Sequence, residues 1–260
     1  MRLGILADPH GNLPALEACW RLLRELGTDM DVCLGDLVQY GPFPGEAIDF
    51  VRGHGIGCVQ GNCDRAVAKG RRVSGDLFEN TWWEAMAAET LAWTASVLDG
   101  EALAFLRRLP SELRLELDRV SVLCVHGLPG DITGELPVTG GGEAADHLLE
   151  SGSCRVLLAG HTHDMRLASR PGGLLANPGS VGGGTLPGQA SLAVLDVSDQ
   201  GVPSVSWHRV PFDMDPYERR YREAGLPETF LRCIRHGRDP RGRWHADDVG
   251  ARQRWAEDRP

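Results

Sequence analysis

The chain has 260 residues, 42% of them hydrophobic and 24% charged, and a formal net charge of −9. That length allows one large domain or two small ones with a substantial core, and the composition excludes a disordered chain. The acidic balance argues against a broad basic face gripping extended nucleic acid, but leaves room for a phosphorylated substrate if bound cations supply positive potential locally.

Residues 3–7 read as a buried strand ending in Asp8-Pro9-His10-Gly11-Asn12. The apolar start is too short for a signal peptide or a membrane span, and no later run reaches membrane length. The seven cysteines are scattered, odd in number and without a CxxC pair, so a reduced, cytoplasmic setting is expected. Asn12 suits the N-cap of the next helix, where Leu16, Trp20 and Leu23 recur at helical spacing, and a substrate contact is an equal alternative for it.

Val32-Cys33-Leu34 is a second strand, followed by Gly35-Asp36 and a turn-rich loop through Tyr40 and Pro44 to a helix at 47–52. Residues 56–60 form a third strand ending in Gly61-Asn62-Cys63-Asp64. Strands alternating with helices predict right-handed βαβ units and a largely parallel sheet, in which ligands collect beyond the carboxyl ends of the strands.

From 70 to 110 the pattern changes to helix, with tryptophans expected to pack between this insertion and the sheet rather than stack on a substrate. A hairpin around Asp118-Arg119 follows, its second strand ending at His126. The glycine run Gly140-Gly141-Gly142 lacks the strand before it and the lysine after it that a phosphate cradle needs. After a helix at 143–150, the strand Val156-Leu157-Leu158-Ala159 delivers Gly160-His161-Thr162-His163. Residues two apart in an extended segment project to one side, so both imidazoles can face one point, although two histidines beside a strand are more often ordinary loop groups. Strands at 174–176, 190–197 and 202–210, interrupted by the tight loop Asn177-Pro178-Gly179-Ser180, are expected to form a second sheet packed on the first. The arginine-rich remainder predicts short helices at 217–224 and 228–235, then a loosely ordered surface chain from 237 to 260.

The polar strand ends collect Asp8, His10, Asp36, Asn62, His126, His161 and His163, too many donors for one four-coordinate ion but suited to two ions sharing a carboxylate. Hydrolysis at phosphorus is the reaction such a site favours. The series DPH, GD, GNCD, VHG and GHTH resembles, in order, the D-x-H, G-D, G-N-H-D/E, H and G-H-x-H pattern of the calcineurin-like metallophosphoesterase superfamily, in its bacterial phosphodiesterase-like branch. The motifs span 8 to 163, and the NPGS loop extends the likeness to about 183.

The resemblance implies an α/β fold of two packed mixed sheets flanked by helices, over 1–212 with the 70–110 helical insertion, and a 213–260 tail. It implies that Asp8, His10 and His163 hold one metal, that Asn62, His126 and His161 hold the other, and that Asp36 bridges them. Asp36 and Asn62 then act in catalysis, and Asn62 also contacts substrate. The implied cofactors are two divalent ions, Mn²⁺ favoured, with Fe or Zn²⁺ also suited to imidazole, carboxylate and amide donors.

Cys63 departs from the pattern, standing where the family often has a histidine that protonates the leaving oxygen; it is either a weak substitute or mere filling. A preference for low-pKa leaving groups follows: aryl, nucleotide or pyrophosphate-linked. Asp64 stands where the family orients that donor. The expected activity is hydrolysis of a small phosphodiester or nucleotide-type substrate. The alternative is a protein-interaction scaffold of the same fold, as in a retromer subunit, but a scaffold need not keep all seven ligands. A nuclease is disfavoured by the charge, and oligomeric state carries no sequence signal.

Overall fold

The computed structural model describes residues 1–135, 143–183, 187–244, 252 and 255–256. The glycine run at 140–142 and most of the chain beyond 244 lie outside them. The first sheet begins with β1 (Arg2–Leu6), β2 (Met30–Cys33) and β3 (Gly57–Cys58), paired in parallel as expected. Helix α1 (Leu13–Leu26) crosses from β1 to β2, with Asn12 accepting at its N-cap from Ala15 N and Gly27 closing it in the left-handed region. Helix α2 (Pro44–Gly53) makes the next crossover.

After β3 the chain turns at once into α3 (Asn62–Ala68), so the GNCD segment opens a helix rather than a loop. Residues 70–80, expected as helix, carry no helical turns; α4 (Thr81–Val97) and α5 (Gly100–Arg108) follow them. The second sheet is built from β4 (Glu112–Leu117), β5 (Val120–Val125), β6 (Val156–Ala159), β7 (Met165–Arg170) and β8 (Gly173–Pro178) in the order β4-β5-β6-β8-β7, with α6 (Glu143–Glu150) before β6.

The late strands do not form a sheet of their own. β9 (Gln189–Val197) pairs antiparallel with β1 and with β10 (Pro203–Pro211), completing the first sheet as β10-β9-β1-β2-β3. Only β8, among the strands expected late, joins the second sheet. Helices α7 (Asp215–Glu223) and α8 (Glu228–His236) end the regular structure.

The two sheets meet face to face. Alternation along β1 sends Leu3 and Ile5 into the intersheet core, where they meet Val122 and Val156 with Leu158, while Leu6 faces α1. Leu157 and Ala159 point the other way, to α6. Both faces of both central strands are therefore buried, which is why β1 and β6 read as unbroken apolar runs. A separate apolar cluster joins α4 to α7 and α8 through Trp83, Tyr217, Tyr221 and Phe230. The insertion thus packs Trp83 on the C-terminal helices, not on the sheet as expected, and Trp82 remains 51% exposed.

Candidate metal centre

The carboxyl ends of β1, β2, β5 and β6 converge at one edge of the two-sheet sandwich. Backbone bonds knit the loops that leave them: Asp8 N donates to Gly35 O (3.0 Å), His10 N to Asp36 O (2.9 Å) and Gly160 N to His126 O (2.8 Å). Asp8, His10, Asp36, Gln39, Tyr40, His161 and His163 all have φ between 47° and 78°, the left-handed region that non-glycine residues rarely occupy. Among the described non-glycine residues, only Asp118 shares that conformation elsewhere. Glycine is required where the loops press together: a Cβ at Gly61 would lie 2.0 Å from Asp36 Oδ1, and one at Gly183 would lie 2.4 Å from His163 Nδ1.

The structure brings all seven expected donors together and buries them. Their ligand atoms fall into groups lying within 4.8 Å of one another: Asp8, His10 and His163; Asp36, His126 and His161; and His10, Asp36 and Cys63. His10 Nε2 and His163 Nε2 face each other at 3.1 Å, with Asp8 Oδ1 3.7 Å from the latter. On the other side His126 Nε2 lies 2.8 Å from Asn62 Oδ1 and 3.4 Å from Asp36 Oδ2. Asp36 Oδ2 is also 4.0 Å from His10 Nε2, so this one carboxylate stands between the groups.

The far side of each ring decides its tautomer. His126 Nδ1 is 2.7 Å from Leu34 O and His10 Nδ1 is 3.3 Å from Val38 O, so each can donate there while its Nε2 faces inward. His163 Nδ1 is paired with the Asp239 carboxylate at 3.1 Å, the carboxylate–histidine arrangement common behind metal-binding imidazoles. Asn62 Nδ2 donates to Asp76 Oδ2 (3.1 Å), which fixes the amide with Oδ1 toward His126.

Electrostatics show why such a cluster suits cations. Burial raises Asp8 to about 6, opposed by His163 and His126, and burial lowers His10 to about 4 and His161 to about 3. At His126 burial is outweighed by Asp36 and then Asp8, which lift it to about 10; at His163 it is outweighed by Asp8 and Asp239, and the ring is again raised. At Asp36 it is outweighed by His126 and His10, which hold the carboxyl far below its usual range. Protons on two imidazoles thus offset the buried carboxylates, a role divalent cations fill better because every inward donor can then be a bare lone pair. The donor set and its orientation fit such ions.

Cys63 lines the cleft, its N–H donating to Asp36 Oδ1 (2.8 Å), and burial followed by Asp36 and Asp76 pushes its thiol well above the ordinary range. It is a neutral, weak donor. Asp64 caps α3, accepting from Gly61 N (3.0 Å) and Val38 N (3.3 Å). Asn12 is fully buried in its helix cap and is not among the residues that line the cleft, so of its two readings the geometry favours the cap.

Four lining or supporting residues escaped the sequence reading. Asp76 arrives from the irregular 70–80 segment, Tyr40 from the loop after β2, and Asp239 and Arg241 from beyond α8. That last stretch is not surface chain as expected: Asp239 is 1% and Arg241 4% exposed. The Asp-Pro-Arg turn was the only available signal, a proline between opposite charges. Tyr40, Asp76 and Arg241 line a narrow cleft over the donors, and Asp239 stands behind it.

Two packed mixed sheets with a buried nest of imidazoles and carboxylates at their strand ends define a metallophosphoesterase. The family model for the calcineurin-like phosphoesterase superfamily domain matches residues 1–200, and the chain belongs to that family. Uncharacterized protein MJ0912 of Methanocaldococcus jannaschii is 28% identical over 245 residues, covering 87% of this chain and 94% of that protein. Among solved structures, a metallophosphoesterase from Sphaerobacter thermophilus is 29% identical with a TM-score of 0.66, covering 91% of this chain and 99% of that one. Hypothetical protein PH1004 from Pyrococcus horikoshii OT3 shares the fold at 23% identity, TM-score 0.76, over 92% and 99%. Among the described residues no helix is long and apolar enough to cross a membrane.

Proposed function

We propose that this phosphoesterase uses two divalent cations, Mn²⁺ favoured over Fe or Zn²⁺, to hydrolyse small phosphodiester or nucleotide-type substrates. Asp8, His10 and His163 hold one ion, Asn62, His126 and His161 the other, and Asp36 bridges them. The observation that carries this reading is the place of Asp36, grouped at once with His10 and with His126 and His161. When bound, such ions supply Lewis-acid polarisation of water and of the phosphoryl oxygens. The chain's own contribution is orientation: Leu34 O, Val38 O and Asp239 aim the imidazoles, and Asp76 aims the Asn62 carbonyl. Cys63 offers no cation and only a weak donor, which supports aryl, nucleotide or pyrophosphate-linked leaving groups over alkoxides.

The complete donor set supports an enzyme over a scaffold. Residues 1–212 are the proposed catalytic domain, including the 70–110 insertion, with 213–260 appended to it. Seven buried, unpaired cysteines are consistent with a reducing, cytoplasmic setting. The test is turnover of a panel of phosphomonoesters and phosphodiesters by protein loaded with each metal, beside Asp36→Asn. Metal-dependent turnover abolished by that substitution is expected; full activity in the variant under chelator-controlled loading would refute the mechanism.

A further inference from the structure

The side of the cleft away from the strands carries two polar groups that internal structure does not use up. Arg241 is almost wholly buried, and its Nε and Nη2 form a two-pronged pair with Asp239 at 2.8 and 2.9 Å, while Nη2 also donates to Thr162 O at 3.1 Å. Nη1 lies 3.9 Å from Glu135 Oε1, beyond hydrogen-bond reach. Among the described residues its two N–H groups meet no acceptor, and the side chain lines the cleft.

Tyr40 lines the same cleft, its ring set edge-on to His10 at 5.0 Å and backed by Phe230 at 4.9 Å. Its hydroxyl is buried and has no hydrogen-bond partner among the described residues. A buried hydroxyl left unpaired is costly, which is the mark of a donor kept for a ligand.

Arg241 is held rigidly. Its carbonyl accepts from Glu79 N at 2.9 Å, and the neighbouring Arg238 is caged by Trp83, Trp244 and Trp255 at 4.5, 4.6 and 4.8 Å. Arg238 also bonds Gly242 O (2.9 Å) and Glu79 (2.8 Å), closing the turn that carries Asp239 and Arg241. Such anchoring pre-organises a donor and reduces the entropy lost when it binds.

We propose that Arg241 and Tyr40 form the subsite for the substrate phosphoryl group, Arg241 binding a non-bridging oxygen through Nη1 and Tyr40 donating a hydrogen bond to the departing ester oxygen. This rests on the phosphoesterase reading above and assigns it two substrate-contacting residues, one from the loop after β2 and one from beyond the family domain. Tyr40 supplies the stronger donor beside Cys63, as a neutral hydroxyl that stabilises charge without transferring a proton.

The test has two arms on the Mn²⁺-loaded, full-length protein. Equilibrium dialysis of labelled inorganic phosphate is expected to show about a tenfold or greater loss of affinity in Arg241→Met, with metal content by mass spectrometry unchanged. Should that variant fail to fold, Arg241→Lys decides, because one ammonium cannot hold Asp239 by two prongs and reach phosphate as well. Wild-type phosphate affinity in whichever variant folds overturns the Arg241 assignment. In the second arm, Tyr40→Phe is expected to lower kcat on the order of 100-fold for alkyl esters and far less for p-nitrophenyl esters, so that rate depends more steeply on leaving-group pKa. Equal slopes for wild type and Tyr40→Phe overturn the tyrosine assignment. If the wild type turns over no ester yet binds phosphate through Arg241, the hydrolytic reading and the tyrosine role both fall and the arginine site stands.

Discussion

The two sides of the cleft are built on different principles. The strand-borne side takes its donors from the ends of β1, β2, β5 and β6 and, for Asn62, from the start of α3 just after β3, so their positions follow from the two packed sheets. The opposite side is Tyr40, Asp76 and the turn at 238–243, backed by α4, α7 and α8 through an aromatic cluster outside that core and by ion pairs that run between α7 and α8 and from the turn to Glu79. The comparison teaches that this fold can gather a candidate donor cluster with one layer of structure and shape what reaches it with another.

The sharpest way to break that division is Asp36→Asn on the strand-borne side. It removes the shared carboxylate and is expected to cut turnover on the order of 10³-fold, comparable to losing a central charge-stabilising donor, with metal stoichiometry falling in parallel. Phe230→Ala strikes the other layer, removing a buried ring between Tyr40 and Trp83. A loss of about 3 kcal/mol in chemical denaturation is expected, with KM raised and the metal content of the folded protein unchanged; metal loss would join the two layers into one.

Asp239→Asn tests the one direct link between them, the carboxylate behind His163. Metal affinity is expected to fall about 10- to 100-fold, read by competition with a chelating dye, and only for the ion beside His163. The smallest effect belongs to Glu218, which α7 presents to Arg235 of α8 at 2.6 Å and whose pKa is held low, first by the Arg235 hydrogen bond. A depressed carboxyl contributes stability that is present above its unfolded pKa and lost as pH falls through the folded one. Glu218→Gln should therefore cost about 0.5–1 kcal/mol at neutral pH, and the gap from wild type should close as the solution is acidified below about pH 4.

Legibility in the sequence follows the same division. Short polar motifs after apolar runs mark strand ends, so the convergence of the seven polar side chains that follow them was readable, as were the parallel β1-β2-β3 core and the β4-β5 hairpin. The partner of β9 was not, because its alternation suits any sheet edge and only the tertiary structure sets it beside β1. The 70–80 segment was absorbed into the helical pattern around it, which hid Asp76. Asp239 and Arg241 stand in a run of arginines and acids that looks like solvated surface; nothing local distinguishes the arginine that turns inward from its neighbours. Tyr40 sits in a readable turn, but that its hydroxyl would be left without a partner is a property of packing alone.

The left-handed backbone at Asp8, His10, Asp36, His161 and His163 has one more consequence. Donors aimed by main-chain conformation, and not by side-chain rotamers alone, do not rely on a guest to arrange them. Stripping the protein with a chelator and resupplying a different divalent ion should restore occupancy with proton release but with no refolding phase, so the choice of ion would follow what the surroundings supply.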